Sequence, residues 1–274
     1  MLWLVLALSA TCGSAYRAVL ASCEREIPGY VLNLDRRADR LKKLGQTLAE
    51  QAPWLAAATC RVAGVDGRRM TEETTVPPAL IQAEVLHSAV TNTAITIGGP
   101  LTKGATALIF GHGLMWEHFL QQDFEVGIFM EDDVTEVHPG LEKFLCDLVD
   151  RSDWDVVQLQ YGDGTLVKEQ DLTLEHRSAW NTGMYLLTKS AARQLLQRQF
   201  PIGHFCSSQI DDPGCPIRSL RNFVSQPAAA MQTGSRVDSD VQILGAFLQT
   251  AKLRDCPSLA VSKMHRPELH SPFA

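Results

Sequence analysis

Two kinds of hydrophobic pattern alternate along most of this chain. Short, nearly continuous apolar runs bounded by turn residues mark strands buried on both faces. Apolar residues recurring every third or fourth position mark helices with one covered face. The run from Tyr30 to Leu34 predicts a strand, followed by a helix with Leu41, Leu44 and Leu48 on one side. Asp35 stands where it could cap that helix. Cys60 to Val65 predicts a second strand closed by an Asp66-Gly67 turn. Between Leu101 and Gln122, the residues Ile109, His112, Trp116 and Leu120 share a helical face, widened by Leu108, Met115 and Phe119. Val126 to Met130 predicts a third strand, and a helix from Pro139 turns Leu141, Phe144, Leu145 and Leu148 inward. Further strands are predicted over Asp155 to Gln160, Met184 to Leu187 and Pro227 to Gln232. Thr188 or Ser190 caps a helix through Ala192, Leu195 and Leu196. Strands alternating with helices imply a mainly parallel sheet covered on both faces.

Two regions break the pattern. Residues 71–100 carry Pro77, Pro78, many threonines and Gly98-Gly99-Pro100, and read as a loop or short helix over the site. Residues 200–216 are rich in Pro, Gly, Cys and acids. There are no internal repeats and there is no clear second hydrophobic core, so the 274 residues read as a single α/β domain over residues 23–250 with a tail at 251–274.

Residues 1–22 stand apart as an apolar N-terminal segment. Met1 to Ala10 is almost unbroken in its apolar character, with Gly13, Ser14 and Ala15 following as a cleavage site for a secretory signal. A buried N-terminal strand or helix is the alternative, and the run is too short for a transmembrane span. Hydrophobic content of 45% and charged content of 20% place the rest among globular domains. A net charge of -6 with no dense basic block gives no support to a nucleic-acid partner. Seven cysteines, none in a CxxC pair, argue against structural zinc; loss of a segment containing Cys12 leaves six, which either pair in an oxidising compartment or stay as buried thiols.

The chemistry concentrates where the third strand ends, at Glu131, Asp132 and Asp133. Three adjacent carboxylates repel one another unless a cation sits among them, and oxygen ligands suit Mg2+ or Mn2+. A solvated acidic turn is the bland alternative. Arg36, Arg37 and Arg40 could hold phosphate or form a solvated helix face. Asp66 could accept hydrogen bonds from a ribose or a base, although on the residues alone a turn is the better explanation. His112 lies on an apolar face, where a satisfied core histidine is the ordinary outcome. There is no GxGxxG dinucleotide fingerprint and no GxSxG nucleophile elbow.

Five separated blocks, taken in order, resemble glycosyltransferase family 25, which includes the lipooligosaccharide and procollagen galactosyltransferases. They are Tyr30 to Arg40, Leu101 to Trp116, Phe129 to Val134, Asn181 to Leu186 with Ala191-Ala192, and Pro227 through Gln232 to Val241. Two positions depart from that pattern: Gly111 stands where the family usually has Ser beside the His, and Gly203 where it often has Asp. The resemblance implies a GT-A type, Rossmann-like fold and a UDP-sugar donor, most directly UDP-galactose. It implies a divalent ion, Mn2+ or Mg2+, at Glu131, Asp132 and Asp133, and donor contacts from Asn33, Asp35, Arg36, Asp66 and His112. Transfer with inversion needs a carboxylate base, for which Asp211, Asp212 and Asp240 are the candidates. The resulting expectation is a hexosyltransferase of the secretory pathway acting on a glycan or protein hydroxyl. Its alternative is a catalytically silent binding or adhesion protein with the same fold, which Gly203 favours and the intact acidic triplet opposes.

Overall fold

The computed structural model describes residues 18–20, 23–69, 103–162, 164–177, 179, 181–199 and 220–233. In chain order the strands are β1 (Ala18–Leu20), β2 (Arg25–Ile27), β3 (Gly29–Asn33), β4 (Thr59–Ala63), β5 (Val126–Glu131), β6 (Val134–Val137), β7 (Val156–Gln160), β8 (Thr173–Glu175), β9 (Met184–Thr188), β10 (Asn222–Gln226) and β11 (Ala230–Gln232). The helices are α1 (Ala38–Gln51), α2 (Pro53–Ala58), α3 (Lys103–Leu120), α4 (Leu141–Val149) and α5 (Lys189–Gln199).

Seven strands form the central sheet in the order β4-β3-β5-β9-β7-β10-β8. β3 runs parallel to both β4 and β5, and β10 runs parallel to β7. β9 is antiparallel to both of its neighbours, β5 and β7, and β8 is antiparallel to β10. The sheet is therefore mixed, with reversed strands at its centre (β9) and at one edge (β8) and the other five strands parallel.

Alternation along the strands divides the core in two. Val31, Ile128, Met130 and Leu186 pack on one face against Leu44 and Leu48 of α1 and Phe144, Leu145 and Leu148 of α4. Tyr30, Leu32, Phe129, Tyr185 and Leu187 point the other way, against Met115, Trp116 and Phe119 of α3 and Leu195 of α5. Strands covered on both sides have no polar face to show, which is why they read as continuous apolar runs.

The helix ends follow local chemistry. Pro53 opens α2, where its missing N–H costs nothing. Thr188 Oγ1 accepts a hydrogen bond of 3.2 Å from the Ala191 N–H and caps α5. Asp35 does not cap α1: it lies in a 3-10 turn, Asp35–Arg37, and α1 follows Arg37 with no side-chain cap. The helix expected from Pro139 begins at Leu141, and short strand β6 occupies the residues before it.

Three pairings were not visible as patterns. β1 pairs with β2 antiparallel, and Leu20 of the N-terminal segment is buried. A disulfide joins Cys23 to Cys146 of α4. β6 pairs with β11 outside the main sheet and carries Gln232 next to the end of β5.

Candidate active site

The connection from β3 leads to β4 on one side, and the chain then returns to place β5 on the other side of β3. Parallel strands diverging in this way leave a crevice outside their carboxyl ends, the usual ligand position in open α/β sheets. Its walls include Leu34, Arg36, Arg40, Asp66, Gly104 of α3, and the acids Glu131, Asp132 and Asp133.

The three acids have different surroundings. Asp132 is buried and fully engaged: its Oδ2 accepts 2.7 Å from Asn33 Nδ2, and its Oδ1 accepts 3.0 Å from Arg40. Burial raises its pKa above the ordinary value even with Arg40 and Asn33 opposing the shift. Glu131 Oε1 accepts 2.7 Å from the Thr182 hydroxyl, and Oε2 lies 3.4 Å from Gln232 Nε2. Burial works against its charge, but His112, Thr182 and Arg40 outweigh burial and hold its pKa below the ordinary value. Asp133 Oδ1 accepts 2.6 Å from Gln232 Nε2, and Oδ2 is 3.9 Å from Arg40. Burial first, and then the neighbouring charge of Glu131, push its pKa up to about 7. Asp133 is the acid whose negative charge is least compensated.

Arg40 sits on the first turn of α1, and its guanidinium spans Asp132 and Asp133. Burial disfavours its charge, yet the two carboxylates keep its pKa above the ordinary value. Arg36 and Asp66 face each other at 3.2 Å across the mouth of the crevice.

A buried polar chain lies under the acids. Trp116 Nε1 donates to Tyr185 Oη at 2.9 Å, and Tyr185 Oη is 2.8 Å from His112 Nδ1. Tyr185 stays protonated, because burial drives its pKa far above the ordinary value. The hydroxyl can donate to His112 Nδ1 in the tautomer that carries its proton on Nε2, the nitrogen that faces Glu131. That Nε2 is buried without a hydrogen-bond partner and lies 3.8 Å from Glu131 Oε1. His112 thus supports Glu131 from behind.

The family model of glycosyltransferase family 25 (LPS biosynthesis protein) matches residues 26–211. The chain belongs to glycosyltransferase family 25. No curated protein sequence matches it. Family membership makes it a glycosyltransferase on a Rossmann-like α/β frame, with a nucleotide-sugar donor and an acceptor. Among the described residues no helix is long and apolar enough to cross a membrane.

Against that identity, the predicted site residues fall into four groups. Arg36, Asp66, Glu131, Asp132 and Asp133 line the crevice. Asn33 and His112 are buried behind it, where they hold Asp132 and face Glu131. Asp35 is exposed, pairs with Arg61 and is not part of the crevice wall. Asp211, Asp212, Asp240 and Gly203 lie outside the described residues, as does the segment 71–100 expected over the site.

The three acids of the expected metal site are not equivalent in their surroundings. Among the described residues no three His, Cys, Asp or Glu side chains are placed to share a metal. Asp132 already accepts one hydrogen bond at each oxygen, from Asn33 and from Arg40. The remaining donors do fit a divalent ion of another kind. Mg2+-type ions bound with a diphosphate take one or two carboxylates and fill their other positions with phosphate oxygens and water. Asp133 and Glu131 can supply those carboxylates.

Thr182, Gln232 and Tyr185 were not predicted as site residues, although each falls within a family-like block. Nothing in the periodicity separates them from neighbours that only pack. Their roles depend on β9 and β11 meeting the end of β5, a long-range pairing.

Proposed function

We propose that this family 25 member transfers a hexose, most directly galactose from UDP-galactose, to a hydroxyl of a glycan or protein in the secretory pathway, in a Mn2+- or Mg2+-dependent reaction. The observation that carries the reading is the crevice at the ends of β3, β4 and β5, which Asp133, only partly compensated by Arg40, lines together with Arg36. A nucleotide sugar needs this combination. The bond between the anomeric carbon and the diphosphate breaks, the acceptor oxygen takes its place, and UDP leaves carrying negative charge. A divalent ion at Asp133, flanked by Glu131, would supply a Lewis acid for the leaving oxygens. Arg36 and Arg40 add fixed positive charge beside them. Asp66, at the end of β4, offers acceptors for the hydroxyls of a ribose. The acceptor's proton passes to a carboxylate, for which Asp211, Asp212 and Asp240 remain the candidates. The disulfide between Cys23 and Cys146 supports an oxidising compartment.

The test is UDP release from purified protein supplied with Mn2+ and UDP-galactose, with and without sugar or hydroxylysine acceptors. Acceptor-stimulated release that disappears with EDTA and in Asp133→Ala is expected. Mn2+-dependent UDP binding without turnover on any common UDP-sugar would instead favour the silent binding protein. That second reading draws on Arg40, which already engages Asp132 at 3.0 Å, and on Gly203. Absence of both UDP release and UDP binding would remove the donor assignment.

A further inference from the structure

β11 belongs to the small sheet it forms with β6, yet one of its side chains reaches the acids at the end of β5. Its register sets Ala230 opposite Val137 and Met231 opposite Glu136, then shifts, so that Gln232 comes opposite Val134. A bulge of this kind re-aims a side chain and is common beside active sites. Beyond it the contact reaches Asp133 itself, whose carbonyl accepts 2.9 Å from the Thr233 N–H. The end of β11 thus holds the backbone of Asp133 and sets Gln232 beside its carboxylate.

The Gln232 amide has a fixed orientation. Asn181 accepts 2.9 Å from the Thr182 N–H, a bond that only the oxygen of its amide can make. Asn181 Nδ2 therefore faces Gln232 and donates 2.9 Å to its Oε1. That turns the Gln232 nitrogen to the acids, where Nε2 donates 2.6 Å to Asp133 Oδ1 and 3.4 Å to Glu131 Oε2. Asn181 makes these contacts at φ of 97°, a left-handed value that favours glycine. Strain of this sort at a non-glycine residue persists where surrounding contacts over-determine it. Gly183 leaves room for the amide, since a Cβ there would fall 2.7 Å from Gln232 Oε1 and 2.9 Å from Cδ.

Building on the metal-dependent reading proposed above, we infer that Gln232 is a positioning residue for the divalent ion: its amide bridges Asp133 and Glu131, and Asn181 fixes that amide. Neighbouring carboxylates repel one another. The two hydrogens of a single NH2 group hold this pair in place. A neutral donor does so without cancelling the charge that an ion needs, whereas a cation added to Arg40 would cancel it. Each carboxylate oxygen that accepts from Gln232 keeps a second lone pair for a ligand.

Mn2+ titration of the full chain, followed by the electron paramagnetic resonance signal of the free ion, tests this, with thermal unfolding in EDTA as the measure of the fold. Gln232→Met keeps the length of the side chain and loses the amide. It is expected to weaken Mn2+ binding about ten- to a hundredfold, the effect of losing a group that orients a metal ligand. Asn181→Gly suits the left-handed backbone and removes the group that orients Gln232. It is expected to weaken Mn2+ binding too, and to cost little more when added to Gln232→Met. Thr135→Val is the control, because the Thr135 hydroxyl ties β6 to the Met231 carbonyl of β11 at 3.4 Å and bonds none of the acids. Its Mn2+ affinity is expected to stay within about twofold of wild type. Mn2+ binding that Gln232→Met retains within about twofold would overturn the positioning role and leave the donor reading standing. If Gln232→Met fails to fold in EDTA, unchanged binding in Asn181→Gly overturns the role instead. A loss in Thr135→Val as large as in Gln232→Met would also overturn it, since strand pairing alone would then account for the effect. Wild-type protein that takes up no Mn2+, with or without UDP, removes the metal reading and the positioning role together.

Discussion

Arg40 NH1 lies 3.0 Å from Asp132 Oδ1 and 3.9 Å from Asp133 Oδ2, so one guanidinium compensates two buried acids at the end of β5. Removing it leaves both charges in a dry environment. Arg40→Met is therefore expected to destabilise the fold by about 3 to 5 kcal/mol, the range for breaking a buried pair from one side. Combining it with Asp132→Asn removes part of the stranded charge, so the double variant should be more stable than Arg40→Met alone. Urea unfolding of the three proteins checks this; a double variant less stable than either single one would show that the pair is not the relevant interaction.

Asp133 gives a stability that depends on pH. Its folded pKa is raised from 3.8 to about 7, so the folded chain holds a proton that the unfolded chain releases. Below 3.8 both states are protonated and the group has no effect. Between that point and about 7 the folded state loses ground steadily, by up to roughly 4 kcal/mol in total, and above it the deficit is constant. Asp133→Asn lacks this term. In EDTA, its stability relative to the parent should rise between about pH 4 and about pH 8. Mn2+ at neutral pH should then stabilise the parent and leave the variant unmoved, as measured by thermal unfolding with and without the ion. A pH-independent difference between the two proteins would refute the assignment.

Tyr185 joins two helix side chains to the sheet. Tyr185→Phe keeps the ring but leaves the Trp116 N–H and His112 Nδ1 without the partner they share. A stability loss of about 1 to 3 kcal/mol is expected from a buried group left unsatisfied. Trp116→Phe removes the stranded donor, so adding it to Tyr185→Phe should cost less than its effect in the parent. Additive losses would show that the hydroxyl does not couple the two side chains.

The order of strands and helices was legible because β3, β5, β7 and β9 are covered on both faces, and this burial writes apolar runs into the sequence. The antiparallel insertion of β9 was not, since a buried strand has the same composition in either direction. β8 and β10 were hidden for another reason: Thr173–Glu175 is a short edge strand with two exposed residues, and Asn222–Gln226 is mostly polar in sequence although largely buried. At the site, the acids announced themselves by repulsion, but their division of labour did not. That Asp132 is held by both Asn33 and Arg40 while Asp133 is compensated only in part depends on contacts more than ninety positions apart. Asp35 misled because a carboxylate ahead of an amphipathic run fits a cap, whereas the 3-10 turn carries it out to Arg61.

Gly111 explains one departure from the family pattern and yields the last prediction. It faces Leu32 across the contact between α3 and β3, and a Cβ at that position would fall 2.5 Å from Leu32 Cδ2 and 2.6 Å from Cδ1. The serine usual beside the family's histidine cannot enter unless Leu32 withdraws; the leucine and the glycine form a matched pair. Leu32 also lines the crevice beneath the acids, so its displacement reaches the site. Gly111→Ser alone is expected to destabilise the protein by about 1 to 3 kcal/mol through overpacking. Leu32→Ala alone leaves a cavity at a buried position and should cost about 2 to 5 kcal/mol. Together they restore volume, and the double variant should recover at least 1 kcal/mol, roughly, relative to the sum of the two losses. Urea unfolding measures all four proteins, and strict additivity would show that the glycine has some reason other than Leu32.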